Sequence, residues 1–309
     1  MPWSLYLPIA GNATNIFLLL GLGGAVGFLS GLFGVGGGFL MTPLLIMVGI
    51  PSTVAAASDS NQIVAASTSG TYAHYRMGNV DFKMGGLLLI GGVVGGTLGV
   101  QLIKILRVLG NADFVIKITY VVMLGVIGSY MFVESLQSLR RKAPAVQPAG
   151  AATPSLYVRL MQALPWQMRF TKSGVVISPL LPVILGVFVG VLAAIMGVGG
   201  GFIMVPVMVY LLRMPMHVVV GTSLFQILFT CINVTILQAV TNATVDVVLA
   251  VVLLLGSTLG AQFGARLSRR LRADQLKILL ASIVLLVMVQ MLMGLVLRPH
   301  LLLTYKGGH

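Results

Sequence analysis

Six consecutive residues, GVGGGF, occupy positions 34–39 and recur 163 positions later at 197–202. Each copy lies inside an apolar stretch, "GLFGVGGGFLMTPLL" at 31–45 and "AIMGVGGGFIMVPVM" at 194–208, and a Met and a Pro follow each copy at the same offsets. Glycine destabilises a helix interior by about 0.5–1 kcal/mol relative to alanine. A break in a helix also leaves backbone N–H and C=O groups unpaired. In hydrocarbon such a break survives only where it is buried in protein or lines a cavity. A chain that carries this break twice must therefore bring both copies inside a protein-lined interior.

The surroundings of the motif are those of a membrane. The 309-residue chain is 58% hydrophobic and only 8% charged, against about 25% charged residues in soluble domains. This excludes a water-soluble enzyme or nucleic-acid-binding module, although the formal net charge is +13. Basic residues on such a chain read as cytoplasmic loops. The first hydrophobic run follows Asn15 without a basic leader or small-residue cleavage site, so no separate signal peptide is expected. The single cysteine, Cys231, lies in an apolar stretch, and no Cys/His spacing suits a metal.

Ten apolar segments are legible, at 16–35, 39–50, 53–73, 84–106, 114–133, 179–196, 202–213, 217–240, 245–265 and 276–297. A full crossing needs about 20 apolar residues. The segments 39–50 and 202–213 are shorter and follow the glycine breaks directly, so they read as half-helices. The two halves align further: Pro51 with Pro215, Gln62 with Gln226, Asp81 with Asp246, and Gly91, Gly95 and Gly99 with Gly256, Gly260 and Gly264 at a constant offset of 165. Small residues spaced by four let two helix backbones approach closely. The expected organisation is a first transmembrane repeat at 1–133, a basic linker at 134–178 and a second repeat at 179–309. The linker contains a Pro/Ala run at 143–154 and a candidate interfacial helix at 155–166. With the basic linker inside and five segments on each side of it, the second repeat is inverted relative to the first. Trp3 and Trp166 read as interfacial anchors.

Paired, inverted, broken helices are the recurrent architecture of secondary transporters. A helix N-terminus carries roughly half a positive charge and offers unpaired N–H groups to an anion. The backbone of Gly36, Gly37, Gly38 and Phe39, and of Gly199, Gly200, Gly201 and Phe202, is accordingly the candidate anion cradle. The alternative is that the glycines only let helices cross closely. GVGGGF lacks the Lys-Ser/Thr ending of a phosphate-binding loop.

The segments after Pro51 and Pro215 supply the polar candidates. Ser58, Gln62, Thr222, Ser223 and Gln226 could complete the shell, or could join helices by hydrogen bonds of about 0.6 kcal/mol each. Asp59 is an acid inside an apolar span, which is costly unless it has a role; its repeat counterpart is Ser223. It is a candidate proton carrier, with His74 as a second candidate relay. Alternatively Asp59 pairs with a base such as His74 or Arg76, or sits hydrated near the interface. Asp81 and Asp246 read as helix N-caps.

The doubled G-x-G-G-G-F-x-x-x-P, Gly34 to Pro43 and Gly197 to Pro206, together with "AHYRMGNVD" (73–81) and "GTSLFQ" (221–226), resembles the TauE/SafE sulfite exporter family, also called the 4-toluene sulfonate uptake permease family. The resemblance implies a bacterial inner-membrane, multi-pass permease of two repeats that moves sulfite, thiosulfate or organosulfonates. Its long basic linker and its Asp59-Ser60-Asn61 depart from the family pattern. The combined expectation is an all-α inverted-repeat transporter. Its partners are a small anion and the lipid bilayer, without nucleic acid, cofactor, metal or catalytic residues. A passive anion channel on the same scaffold and a membrane-embedded anion sensor are the alternatives.

Overall fold

A computed structural model describes residues 4–33, 38–140, 167–268 and 273–297. Among these residues each half shows a short β-hairpin followed by five helices. In the first half, β1 (Ser4–Leu7) pairs antiparallel with β2 (Asn12–Asn15). Then come α1 (Ile16–Phe33), α2 (Gly38–Met47), α3 (Ser52–Arg76), α4 (Phe82–Val108) and α5 (Ala112–Arg140). In the second half, β3 (Met168–Phe170) pairs antiparallel with β4 (Val175–Ile177). Then come α6 (Leu180–Met196), α7 (Gly201–Leu211), α8 (Met216–Asn242), α9 (Val247–Ser268) and α10 (Ala273–Leu297). The chain is thus an all-α polytopic membrane protein, and the hairpins are its only strands among the described residues.

Among the described residues five helices are long and apolar enough to cross a membrane: Phe82–Val108, Ala112–Glu134, Met216–Asn242, Val247–Gly264 and Ile278–Val296. Helix α3 is long, about 37 Å at 1.5 Å per residue, but too polar to read as lipid-facing. Ala55 to Ser60 in its first half are buried, so Ser58, Asp59 and Ser60 face protein, whereas Thr68, Tyr72, Tyr75 and Arg76 in its second half are exposed. The half-helices are as short as expected. Pro206 withdraws one donor from the ladder of α7, and the following turn, Val207–Leu211, is π-helical. The last turn of α8, Gln238–Asn242, is also π-helical. Helix α5 carries the start of the expected linker to Arg140, and the second hairpin occupies its end. The candidate interfacial helix at 155–166, Trp3 and Trp166 lie outside the described residues.

The glycine stripes decide which helices meet. Helix α4 packs on α6, and α1 packs on α9. A Cβ at Gly91 or Gly95 would collide with the carbonyls of Val183 and Val187, and one at Gly99 would come within 2.9 Å of the Val191 carbonyl. On the other pair, a Cβ at Gly256 would lie 2.5 Å from the Leu20 carbonyl, and one at Gly260 would strike Gly24. The partners Gly186 and Gly190 on α6, and Gly23 and Gly27 on α1, are equally crowded and are themselves spaced by four. Both contacts are backbone against backbone, the geometry that such spacing permits. In both pairs residue numbers rise together along the seam.

The central pair behaves differently. Along α3 and α8, Gly70 faces Leu224, and His74 faces Gly221, so the two helices run antiparallel. The outer pair α5 and α10 is also antiparallel, with Gly125 opposite Met288 and Gly128 opposite Val284. Helices at equivalent places in the two halves therefore pair with each other in opposite directions. Exchanging the halves maps the α1–α9 contact onto α6–α4.

This packing carries a direct expectation. Gly95→Leu and Gly260→Leu place a side chain where a carbonyl stands, and each should cost about 3 kcal/mol or more. Gly86→Leu, with open space beside it, should be tolerated. Thermal melting of the purified variants, followed by size-exclusion recovery, checks this contrast.

Candidate functional site

The second glycine break is described throughout. Helix α6 ends at Gly197, whose φ of +73° places it in the left-handed region while its N–H donates to Ala193 O at 2.8 Å. Gly199 (+68°) and Gly200 (+78°) are left-handed too, and Gly200 starts α7. L side chains rarely adopt this backbone. A Cβ at Gly197 would also collide with the backbone of Ala56 on α3. Glycine is required here twice over, for conformation and for space.

A helix end leaves carbonyls without partners, and side chains from three other helices meet them. The Tyr120 hydroxyl on α5 donates to Met196 O. Ser60 Oγ on α3 shares its one proton between Gly197 O at 3.2 Å and Ala56 O of its own helix at 3.1 Å. Gln238 Nε2, in the π turn of α8, reaches Ala194 O at 3.5 Å. The α6 side of the break is thus closed by protein, whereas Gly200, at the start of α7, has no side chain to cap it.

The two breaks come together. Phe39 and Phe202, the last residues of the two motifs, stack with centroids 4.4 Å apart and planes 14° apart, and both are buried. A Cβ at Gly38 would lie 3.4 Å from the Cα of Val198. Of the expected cradle, Gly38, Phe39, Gly199, Gly200, Gly201 and Phe202 are buried at this centre. Gly36 and Gly37 lie outside the described residues. Gly199 abuts the α3–α8 crossing, where a Cβ would fall 2.6 Å from Cys231 Sγ and 2.9 Å from Ile227 Cγ2.

The polar candidates distribute around this centre. Asp59 is completely buried; its Oδ2 accepts from Thr42 Oγ1 on α2 at 2.8 Å, and its Oδ1 has no partner among the described residues. Its expected pairing with His74 or Arg76 does not form. His74 lies fifteen residues further along the same helix, about 22 Å away by helix rise, and its Nδ1 is buried without a partner among the described residues. Asp59 is also closed off from solvent, against the alternative of a hydrated carboxylate. In the second half the corresponding positions are Val205 and Ser223, and Ser223 Oγ donates to Val220 O at 3.1 Å.

Gln62 and Gln226 are buried, and each has an unpartnered Oε1 among the described residues. Gln226 Nε2 donates to Thr230 Oγ1 at 2.9 Å and lies against Gly92 of α4, where a Cβ would be 2.7 Å away. Gln226 therefore flanks the break instead of facing Gly199. Ser58 and Thr222 accept from backbone: Ser58 Oγ from the N–H of Asp246 at 3.2 Å, and Thr222 Oγ1 from the N–H of Asp81 at 3.0 Å. Sequence reasoning missed the Thr42, Ser60, Tyr120 and Gln238 contributions, which come from α2, α3, α5 and α8. It also missed the Phe39–Phe202 stack. The signal for the stack was present, since identical residues at repeat-related positions meet if they lie near the axis relating the halves.

Over residues 19–291 the chain matches the family described as Sulfite exporter TauE/SafE. That span takes in both glycine breaks, both polar helices and both glycine stripes. The chain belongs to the TauE/SafE sulfite exporter family. It is 27% identical over 210 residues to the probable membrane transporter protein YjnA of Bacillus subtilis (strain 168), covering 67% of this chain and 72% of that protein. It is 28% identical over 225 residues to YunE of the same organism, another probable membrane transporter protein, covering 69% and 74%. A probable membrane transporter protein of Xylella fastidiosa (strain 9a5c) is 27% identical over 215 residues, covering 69% and 70%. No solved structure matches the chain. As a TauE/SafE member the protein is a multi-pass membrane transporter, and the buried centre is its candidate transport site.

The closure of the break is testable. Tyr120→Phe leaves the Met196 carbonyl buried and unpaired, at about 1–3 kcal/mol. Ser60→Ala does the same for Gly197. Each should lower the melting temperature, and the double variant should show coupling because both act on one peptide segment. Differential scanning fluorimetry of the single and double variants measures it.

Proposed function

We propose that this TauE/SafE member is a secondary transporter of small sulfur oxyanions, such as sulfite, thiosulfate or organosulfonates, across the bacterial inner membrane. The observation that carries the reading is the meeting of two glycine-started helices at one buried point, marked by the Phe39–Phe202 stack. Gly200 brings no side chain to cap the start of α7, and an anion there would take hydrogen bonds from backbone N–H groups, as helix starts do. The buried amides of Gln62 and Gln226 can turn to present either oxygen or nitrogen. Opposed pairing of equivalent helices, α3 with α8 and α5 with α10, supports two inverted repeats that rock against each other around this centre. The family description supplies the sulfur chemistry, and the basic linker at 134–178 is assigned to the cytoplasm.

Asp59 gives the transporter its asymmetry. A buried carboxylate with an orphan oxygen is costly in hydrocarbon. Proton binding removes the charge and converts Oδ1 into a donor, which also removes repulsion toward an anion. We assign Asp59 as the proton-coupling residue, held by Thr42. His74, remote from it, is assigned no step in the coupling.

Reconstituted protein tests both parts. Gly200→Ala adds a Cβ 2.5 Å from Val189 Cγ1 at a left-handed position. In protein that still folds, sulfite or thiosulfate flux should fall about ten-fold, the equivalent of one lost charge-assisted hydrogen bond. Undiminished flux across sulfite, thiosulfate, sulfoacetate and sulfate removes the break as the site. Asp59→Asn keeps the Thr42 contact but carries no titratable proton. Its flux should no longer respond to a pH gradient, and an unaltered response excludes Asp59 as the carrier of the proton.

A further inference from the structure

Asp81 and Asp246 do more than begin helices. As expected of N-caps, Asp81 Oδ1 accepts from the N–H groups of Lys83 and Met84 at 3.1 and 3.2 Å, and Asp246 Oδ1 accepts from Leu249 at 3.1 Å. Capping uses one oxygen, and asparagine or serine would serve as well. In both residues the second oxygen is also engaged, and its partner is a β-hairpin belonging to the other half. Asp246 Oδ2 accepts from the N–H groups of Ile9 and Ala10 at 3.1 and 3.4 Å, in the turn between β1 and β2. Asp81 Oδ2 accepts from Ser173 N at 3.1 Å and Ser173 Oγ at 2.5 Å, in the turn between β3 and β4. Lys172 Nζ adds a bond to Val80 O at 3.2 Å.

Each aspartate is joined in turn to a helix of the transport centre. The N–H of Asp246 donates to Ser58, the neighbour of Asp59, and the N–H of Asp81 donates to Thr222, the neighbour of Ser223. The two assemblies sit at opposite ends of α3. One reaches Ser58 in its second turn. The other lies just past its C-terminus, where Gly221 of α8 would crowd Asn79 and His74 if it carried a Cβ. The hairpins are seated as well as bonded: Leu7, Ala10, Phe170 and Ile177 are buried.

We infer that Asp81 and Asp246 are positioning residues that latch two hairpin gates, one at each end of the bundle, and that the latches release alternately as the transport centre changes state. The inference rests on the transporter reading, because a static membrane scaffold would have no use for a release. A shift of α3 at Asp59 pulls on Ser58 and so on the Asp246 latch; a shift of α8 at Ser223 pulls on Thr222 and so on the Asp81 latch. A gate of this kind is one two-state element biased from the binding site.

The test reads the hairpins directly and needs no knowledge of the transported ion, so a wrong substrate class leaves it intact. In a full-length Cys231→Ala background, Ala10→Cys and Ile177→Cys serve as separate reporters, labelled with a membrane-impermeant maleimide in detergent micelles. Asp246→Asn keeps a cap but replaces one acceptor oxygen by a donor amide. It should speed labelling at Ala10→Cys about ten-fold by local opening and slow labelling at Ile177→Cys about three-fold by population shift. Asp81→Asn should give the mirror result. Ser173→Ala removes only one hydroxyl and leaves both caps intact; it should speed labelling at Ile177→Cys even if the aspartate variants fail to fold. Unchanged rates at the near reporter overturn the latch. A near reporter that opens while the far one keeps its rate overturns the alternating gate.

Discussion

The carbonyls that α6 leaves unpaired at its C-terminus are buried among packed helices. The other features of the centre follow from that constraint. Tyr120, Ser60 and Gln238 arrive from α5, α3 and α8 to accept the role that solvent plays at the end of a soluble helix. Three helices are thereby pinned to one peptide segment. The break is a junction of the structure as well as an interruption in a helix.

Close approach of these helices depends on glycine in a second way. The α4–α6 and α1–α9 seams are backbone against backbone. Between apolar helices in lipid, packing and weak polar contacts replace the hydrophobic driving force. With α1, α4, α6 and α9 held by such seams, the polar side chains of α3 and α8 can be buried between them. This explains why the first half of α3, the most polar of the long helices, is packed inside, with Asp59, Ser58 and Ser60 wholly or almost wholly buried.

The two halves share a plan but differ in chemistry at their core. Thr42 and Asp59 in the first half stand where Val205 and Ser223 stand in the second. An aromatic pair at the junction, Phe39 on Phe202, keeps the two half-helix starts in register. One half thus holds an ionisable group and the other a neutral one, which gives a pseudo-symmetric framework a chemical direction. The hairpins repeat the plan further, because each is held by an aspartate of the opposite half.

The sequence by itself determined the class and much of the organisation. Low charge and long apolar runs leave only a membrane-embedded helical protein, and a duplicated motif with matching glycine spacings requires two equivalent halves. The half-helices expected from Phe39 and Phe202, and the caps at Asp81 and Asp246, were legible because each depends on a few neighbouring residues. What only the tertiary structure decided depends on residues far apart in the chain. Gln226 turned to α4 at Gly92, Asp59 found Thr42 instead of His74, and Ser58 and Thr222 became acceptors for backbone. The hairpins were illegible because three- and four-residue strands carry too little periodic signal, and their stability comes from aspartates 92 and more than 230 residues away. Local pattern fixes which elements form; the choice of partner for each buried polar atom is a property of the packed whole.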